Sequence, residues 1–327
     1  MEYARYGNTF VESTQVTKFF FKITFTFPHE FLSIYMQFRL TLRPVNRQTL
    51  VPFNYAYRLS GFIYSVLADA DKQYADFLHE QGYEYSSTRR FKLFTFSDLI
   101  MPNVRVDVRA GGMWVNSPYI EWVVSFYVDQ AAQRFIMGLF QNQRCVIASP
   151  RHRAEFIVER VESVPMEIRS QTVQLKTLSP VVIAEKDKRG MDQYLHPADE
   201  QFGPLLVSNL LAKYASVQPV IPVGVLPDDG LATTSLTYQL LPNPGRNAAQ
   251  RDAAQPKSRL LTIKEGSREE TRIKGYYGFN FELSGTTELL ELAVLAGVGR
   301  YNAEGFGAVG IVEAKPIFGK PDFPSSP

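Results

Sequence analysis

A strict two-residue alternation near the start of the chain predicts a β-strand with one buried face. Apolar residues recur at every second position from Met36 to Leu42, and polar residues fill the positions between them up to Arg43. Successive side chains of a strand point to opposite faces, so this pattern indicates a half-buried strand rather than a helix. Pro44 ends the strand, because proline has no N–H to donate to a neighbouring strand.

Six further elements follow this strand before the middle of the chain. Apolar stripes with helical spacing predict the helices, and continuous apolar runs predict the strands. Gly82 is a natural stop for the second helix. The predicted elements, in chain order, are strand 36–43, helix 54–68, short helix 72–81, strand 91–96, strand 119–128, a helix opening at Asp129, and strand 156–161.

The order strand, helix, strand, strand, helix, strand is that of a ferredoxin-like (βαββαβ) unit. This α+β fold packs two helices on one face of a four-stranded antiparallel sheet. RNA-recognition modules (RRMs) use the open face of such a sheet to hold a ligand that lies flat. The chain holds 24 Phe and 17 Tyr, which suits sheet-rich packing and leaves rings for stacking on bases. We therefore predict an RRM-like unit.

The second half of the chain is less regular, but it ends with strand, helix and strand as the first half does. A length of 327 residues agrees with about two domains, so we predict a second, related ferredoxin-like domain joined to the first near 166–170. Its predicted elements are an extended segment 172–184, helix 197–214, strand 237–241, a mobile loop 242–258, strand 259–263, strand 276–283, helix 286–296 and strand 309–312.

These boundaries divide the chain into four segments. We expect an N-terminal extension over 1–35, domains over 36–168 and 169–318, and a tail over 319–327. Met36 stands directly before the first clean strand and is a candidate natural start. Charged residues and a proline interrupt the apolar stretch 18–36, so neither a membrane span nor a signal peptide is expected.

The charge and cysteine counts exclude several kinds of site. Lys and Arg number 35 against 33 Asp and Glu, so any nucleic-acid surface must concentrate its basic groups locally. The single Cys145 permits neither an internal disulfide nor a cysteine-based zinc site, and it suits a reducing cytoplasm. The four histidines show no metal-ligand spacing, so we expect neither a metal nor a cofactor. Mixed charge runs such as 257–274 are expected to be solvated surface.

A glycine-rich loop over 297–307 is the most unusual stretch of the sequence. Its glycines permit positive φ angles and close backbone approach, and exposed amides in such a loop can cradle a phosphate. Two interpretations are open: a helix cap at Gly297 followed by a turn, or an anion-binding loop, which Arg300 favours. A dinucleotide-binding fingerprint is excluded, because it needs a strand before the loop and a helix after it.

Three side chains are candidates for acid–base chemistry. Tyr64 lies off the apolar stripe of its helix, beside Tyr57, Ser60 and Gly61. His79 lies in the last turn of the next helix, where the helix dipole favours imidazolium and proton exchange is accessible. Lys92 opens the following strand and can stabilise charge on a phosphate. Taken singly, each has a structural explanation as well: an exposed helix-end histidine, for example, or a solvated strand-end cation.

Two stretches, in their order along the chain, carry a resemblance to a known family. The first comprises 51–57, 59–64, 77–80 and 92–96, and the second is the loop Gly-x-Gly-x-x-Asn-x-x-Gly-Phe-Gly from Gly297 to Gly307. Together they resemble the CRISPR-associated endoribonucleases of the Cas six family, RAMP-superfamily proteins that cut precursor CRISPR RNA within its repeats. The resemblance covers about 36–315.

This resemblance implies tandem ferredoxin-like domains and metal-independent RNA cleavage. In members with a Tyr/His/Lys triad, those residues stand where Tyr64, His79 and Lys92 stand here. The ribose 2′-OH would attack the adjacent phosphate and the 5′-oxygen would leave, giving a 2′,3′-cyclic phosphate and a 5′-hydroxyl. His79 is then the base, Tyr64 the acid, and Lys92 stabilises the phosphate; the base and acid roles can be exchanged. Arg89 or Arg90 is an alternative for the role of Lys92.

The implied partners are CRISPR repeat RNA, before and after processing, and subunits of a CRISPR effector complex; both a monomer and a homodimer are open. Two other functions compete with the endoribonuclease. One is a non-cleaving RNA-binding subunit with the same fold, and the other is a nucleotide-binding protein unrelated to CRISPR. The residues implied to bind RNA are Arg89, Arg90, Gly297, Gly299, Arg300, Asn302, Gly305, Phe306 and Gly307.

Overall fold

The computed structural model of the chain describes residues 24–26, 36–149, 151–217, 235–242 and 255–312. Within these ranges, two βαββαβ units follow one another. The four strands of each unit form an antiparallel sheet with the helices packed on one face, and in the first unit the extra strand β1 (Thr24–Thr26) joins this sheet in parallel. The prediction of an α+β chain with two ferredoxin-like domains is therefore confirmed. Among the described residues, none of the helices has the length and apolar content that crossing a membrane requires.

The first unit contains the elements that carry most of the candidate site. Its helices are α1 (Ala56–Ala70), α2 (Lys72–Asp76), the π-helical turn Phe77–Gln81, and α3 (Asp129–Gln141). Its strands are β1 (Thr24–Thr26), β2 (Gln37–Pro44), β3 (Thr49–Pro52), β4 (Tyr83–Ser86), β5 (Arg89–Phe91), β6 (Phe94–Phe96), β7 (Val104–Asp107), β8 (Gly112–Val115), β9 (Ile120–Phe126), β10 (Arg144–Ala148) and β11 (Arg153–Ser163).

The sheet of the first unit has the strand order β11-β2-β9-β6, with β1 and β10 added beside β11. Phe38, Leu40 and Leu42 of β2 are buried as their alternation predicts, and Leu40 lies opposite Trp122 of β9. The apolar stripe of α1 is buried against the same face. One hydrophobic core therefore forms between the sheet and its helices, because the apolar side chains of both point toward it.

The predicted strand 91–96 is in fact two strands. Lys92 and Leu93 separate β5 from β6, and Leu93 has a φ of +54°, which no extended strand accommodates. β5 pairs with β4 in a small hairpin, whereas β6 pairs with β9 in the main sheet. The break places Lys92 at the junction of the hairpin and the sheet.

The second unit repeats the strand arrangement of the first, as the order β15-β18-β12-β19. Its helices α4 (Phe202–Ala215) and α5 (Thr287–Leu295) pack on this sheet through apolar side chains. Its strands are β12 (Thr172–Thr177), β13 (Ala184–Lys186), β14 (Asp192–Tyr194), β15 (Thr237–Leu240), β16 (Lys257–Ile263), β17 (Thr271–Tyr277), β18 (Asn280–Ser284) and β19 (Val309–Ile311).

The prediction of one continuous strand over 276–283 is wrong. Gly278 has a φ of +74° and turns the chain between β17 and β18. β17 pairs with β16 in a separate hairpin, while β18 joins the main sheet. Of the predicted mobile loop 242–258, residues 243–254 lie outside the described residues, and β16 already begins at Lys257. The tail 319–327 and most of the extension 1–35 also lie outside them.

The expectation of an open sheet face in the first unit is wrong at its β6 edge. Thr95 and Ser125 point away from the helices, yet they are 1% and 2% exposed. The Thr95 hydroxyl donates a hydrogen bond to the carbonyl oxygen of Phe306, 3.2 Å away in the second unit. The glycine-rich loop of the second unit therefore covers this strip of the sheet, and a flat ligand has no access there.

Candidate active site

A cleft of about 750 Å³ opens beside α1 in the first unit. Tyr57, Ser60, Gly61 and Tyr64 line it from α1, which is the helix face opposite the buried stripe. Gly61 faces open space in the cleft, because a Cβ at that position would have nothing within 4 Å. The sequence-predicted face of α1 is thus the wall of a cavity.

His79 reaches the same cleft from the π-helical turn that follows α2. Its ring meets the Tyr64 ring edge to face, with the ring centroids 4.9 Å apart, and Phe94 supports Tyr64 from the core side at 5.6 Å. Short π-helical segments are rare and recur at functional sites, since the extra residue redirects a side chain.

Lys92 completes the group, and Gly82 allows it to come close. At Gly82, which has a φ of +67°, a Cβ would lie 2.5 Å from the carbonyl oxygen of Phe91 and 3.0 Å from Cδ of Lys92. The Lys92 ammonium donates a hydrogen bond to the backbone carbonyl of His79 at 2.6 Å. One cleft is therefore lined by Tyr64, His79 and Lys92, although 28 positions of sequence separate the first of them from the last.

Burial shapes the charge states in this cleft. It raises the pKa of the Tyr64 phenol above its ordinary value, and the nearby Glu304 carboxylate adds to the effect. Burial lowers the pKa of Lys92, with Glu304 opposing this and Arg90 reinforcing it. The pKa of Glu304 is itself raised by burial, while Lys92 and Lys264 oppose the rise. At neutral pH the phenol keeps its proton.

The glycine-rich loop follows α5, and hydrogen bonds from its backbone amides and the Asn302 side chain stabilise its conformation. Gly297 has a φ of +76° just after the helix, so the predicted glycine cap is confirmed. The Asn302 amide donates to the carbonyl oxygens of Val298 and Phe306, both at 3.0 Å. The backbone amides of Val298, Arg300, Glu304, Gly305, Phe306 and Gly307 all donate to other backbone carbonyls.

The residues predicted to bind RNA therefore fall into two groups. Gly297, Gly299, Gly305, Phe306 and Gly307 are buried, where they set the path of the loop. The residues of the other group have charged or polar side chains that are at least partly exposed and line a second cleft of about 590 Å³. Those predicted residues are Arg89, Arg90, Arg300 and Asn302. Direct RNA contact by any of these residues stays a prediction.

The second cleft adjoins the first, because Lys92 and Glu304 line both. Its three arginines are partly compensated: Arg90 lies 3.4 Å from Glu84, and Arg300 donates to Asp192 at 3.0 Å. Arg89 lies over the Phe91 ring at 5.3 Å. The two clefts therefore meet at Lys92 and Glu304.

Two family models match consecutive parts of the chain, one in each unit. The model for the N-terminal part of CRISPR-associated protein Cas6 matches residues 50–162, and the model for the C-terminal part matches residues 162–311. The chain belongs to the Cas6 family. The boundary between the two models at residue 162 falls in β11, the last strand of the first unit.

Individual relatives agree with this membership. The chain is 27% identical over 169 residues to CRISPR-associated endoribonuclease Cas6 1 of Methanocaldococcus jannaschii and 25% identical over 181 residues to CRISPR-associated endoribonuclease Cas6 of Pyrococcus furiosus. These matches cover 51% and 55% of this chain but only 61% and 64% of the relatives' lengths. A solved structure of a Cas6-related protein from Pyrococcus furiosus, 22% identical, matches 85% of this chain and 98% of its own with a TM-score of 0.65, which shows the shared Cas6 fold.

The sequence analysis did not identify a buried lysine that stabilises the glycine-rich loop. Lys213 of α4 is 2% exposed and donates to the carbonyl oxygens of Gly297 and Gly299 and to Oδ1 of Asn302, at 2.6, 3.2 and 2.6 Å. Burial lowers its pKa well below the ordinary value. Its only signal in the sequence is a lone charge inside an apolar helix.

Four more charged residues of the first cleft were not singled out from the sequence. Glu304 lies inside the quoted loop motif, and Arg58 follows Tyr57 at the start of α1. Arg144 belongs to β10, a strand that was not predicted. Lys264 belongs to the run 257–274, which was expected to be solvated surface; it is exposed as expected, and it also lines the cleft.

Proposed function

We propose that this chain is an endoribonuclease that cleaves precursor CRISPR RNA within its repeats. The observation that carries the proposal is the single cleft lined by Tyr64, His79 and Lys92 in a chain of the Cas6 family. The named activity of the two archaeal relatives supports the same reaction class. The substrate is RNA rather than DNA, because the reaction uses the ribose 2′-OH as its nucleophile.

His79 is the proposed general base, and Tyr64 is the proposed general acid. A phenol is protonated at neutral pH, and burial raises the pKa of Tyr64 further, so Tyr64 is suited to give a proton and not to take one. His79 removes the 2′-OH proton, the 2′-oxygen attacks the phosphorus, and Tyr64 protonates the departing 5′-oxygen. The products are a 2′,3′-cyclic phosphate and a 5′-hydroxyl.

Lys92 is the proposed cation that stabilises the crowded phosphate. An ammonium group has three N–H donors, and the His79 carbonyl takes one of them. The other two remain for phosphate oxygens, while the bond to His79 keeps the cation next to the base. Charge stabilisation of this kind in a partly dry cleft is a major source of rate enhancement.

The reaction as written moves only protons and one phosphoester bond, so we propose that it needs no metal. Arg89, Arg90 and Arg300 of the adjoining cleft would hold flanking phosphates and set the register of the strand. Arginine is suited to this task because its planar guanidinium binds phosphate with two parallel hydrogen bonds.

Single-turnover cleavage of repeat RNA in EDTA tests the proposal. We expect the wild-type chain to cut, and His79→Ala to bind the RNA normally but cut it at least about 100-fold more slowly, the usual contribution of a general base. His152→Ala is the matched control, since His152 lies outside both clefts. Tight binding with intact RNA in the wild type would instead identify a non-cleaving subunit, and loss of cleavage in EDTA would contradict metal independence.

A further inference from the structure

The hairpin formed by β16 and β17 belongs to the second unit but reaches across to the first. Arg259 of β16 donates from Nη2 to both carboxylate oxygens of Asp98, at 2.7 and 2.9 Å, and the hydroxyl of Tyr55 donates to the same carboxylate. The amide of Thr262 donates to the side chain of Asn54 at 3.4 Å. These contacts fix the end of β16 against the start of α1.

Lys264 opens the loop of this hairpin and enters the candidate active cleft. It lines the cleft together with Tyr64, His79 and Lys92, and it lies within electrostatic reach of Tyr57 and Glu304. Its φ of +53° is unusual for a residue with a side chain. Its backbone carbonyl accepts from the amide of Ser267 at 3.0 Å, which closes the turn.

The Lys264 ammonium is paired with a carboxylate of its own loop. Glu269 forms this ion pair, and the two side chains are 44% and 71% exposed. An ion pair this exposed is weak, because water and salt screen it and ordering two long side chains costs entropy. A phosphodiester that enters the cleft presents the same chemistry to Lys264 as the Glu269 carboxylate does.

The cleft as a whole is strongly basic. Among its described lining residues, Glu304 is the single carboxylate, and it faces four cationic side chains and one histidine. Those cationic residues are Arg58, Lys92, Arg144 and Lys264. A volume of about 750 Å³ is large for one phosphodiester and has room for a flanking nucleotide.

We propose that Lys264 forms a second phosphate subsite of this cleft, and that Glu269 occupies Lys264 until an RNA phosphate displaces it. The inference rests on the proposed RNA substrate. Lys264 then binds a phosphate beside the scissile one, and Glu269 lowers the affinity of the free protein for RNA. Substrate binding exchanges one partner of Lys264 for another, so the lysine keeps its charge throughout.

A double-mutant cycle on RNA affinity tests this exchange. The probe is single-stranded repeat RNA with a 2′-deoxy nucleotide at the cut site, measured by fluorescence anisotropy at several salt concentrations. Lys264→Gln is expected to weaken binding about tenfold, the low end for a hydrogen bond to a charged group. It should also reduce the slope of log K against log salt by about 0.7, the value for one phosphate of a single strand. Lys264→Arg should retain most of the affinity.

Glu269→Gln is expected to tighten binding about two- to fivefold, the range for releasing an exposed ion pair. In the Lys264→Gln background the same change should have no effect, because no ammonium is left to release. Lys257→Gln is the matched control: it removes one charge from the same hairpin, at the far end of β16 and outside both clefts. It should change affinity less than twofold.

Two results would overturn the inference while leaving the proposed function intact. One is equal loss of affinity in Lys264→Gln and Lys257→Gln, and the other is an equal gain from Glu269→Gln with and without Lys264. If the wild-type chain neither binds nor cuts repeat RNA, the proposed function fails and the subsite fails with it.

Discussion

Replacing Gly307 by alanine should unseat the glycine-rich loop. Gly307 has a φ of +72°, and a Cβ there would lie 2.0 Å from the carbonyl oxygen of Val298 and 2.5 Å from Nδ2 of Asn302. Real Cβ atoms essentially never come within 3.0 Å of such atoms, so the Val298 carbonyl would have to retreat by at least about 1 Å. That carbonyl is backbone, so no side-chain rotation relieves the clash.

The expected loss of stability has two parts. A non-glycine residue in the left-handed region costs about 1–2 kcal/mol. Moving Val298 also breaks its hydrogen bond with the Asn302 amide at 3.0 Å and strains the bond from the Val298 amide to Gly307 at 2.8 Å, at about 1 kcal/mol each. Gly307→Ala should therefore lower the free energy of unfolding by about 3 kcal/mol.

Gly190→Ala isolates the first part. Gly190 has a φ of +79° in the turn between β13 and β14, and a Cβ there would have nothing within 4 Å. Urea unfolding followed by circular dichroism should show a loss of about 1 kcal/mol for this variant, leaving a difference of about 2 kcal/mol that belongs to the clash. Equal losses in the two variants would refute the close packing of Gly307 on Val298.

Three further predictions follow from buried groups. Tyr64→Phe keeps the ring contacts with His79 and Phe94, so thermal stability should be nearly unchanged while single-turnover cleavage falls about 100-fold or more; equal cleavage would exclude the phenol as the acid. Lys213→Met leaves three oxygen acceptors of the loop without their donor and should lower the urea midpoint by an amount equivalent to about 2 kcal/mol; a gain in stability would mean that burying the ammonium costs more than its bonds return. Because burial raises the pKa of Glu304, the folded state holds that proton more tightly than the unfolded state, and wild-type stability is lost as pH rises past the ordinary value of 4.5. The stability of Glu304→Gln relative to wild type, measured in urea titrations, should therefore increase from pH 4 to pH 8. A stability difference between the two proteins that stays constant over this range would contradict the raised pKa of Glu304.

Local periodicity was sufficient to predict the two sheets and most of their helices. The alternation from Met36 to Leu42 and the apolar stripe of α1 both indicate which side of the element faces the core, and the apolar residues Phe38, Leu40 and Leu42 of β2 and those of α1 are buried there. In each of the two predicted strands that are divided, a residue with a positive φ interrupts the strand. The alternation over 276–283 runs straight through Gly278, whose positive φ turns the chain while the apolar pattern continues on both sides.

In the candidate site, too, the residues placed by local sequence patterns were predicted, and a residue placed by a long-range contact was not. Tyr64, His79 and Lys92 were reached from the sequence because short helices, a glycine stop and a family motif place them within one local stretch. Lys264 was missed because its place in the cleft depends on the hairpin reaching the first unit, a contact between residues far apart in the chain. No local pattern separates it from the other cations of 257–274.

The proposed attack by the ribose 2′-OH is tested most directly by removing that hydroxyl and identifying the chemical ends of the products. A repeat RNA carrying one 2′-deoxy nucleotide at the scissile position is compared with the unmodified RNA in EDTA, and the product ends are identified by mass spectrometry. The proposed mechanism predicts equal binding of both RNAs, no cleavage of the modified one, and a 2′,3′-cyclic phosphate with a 5′-hydroxyl from the other. Cleavage of the 2′-deoxy RNA, or a 5′-phosphate on the product, would contradict it.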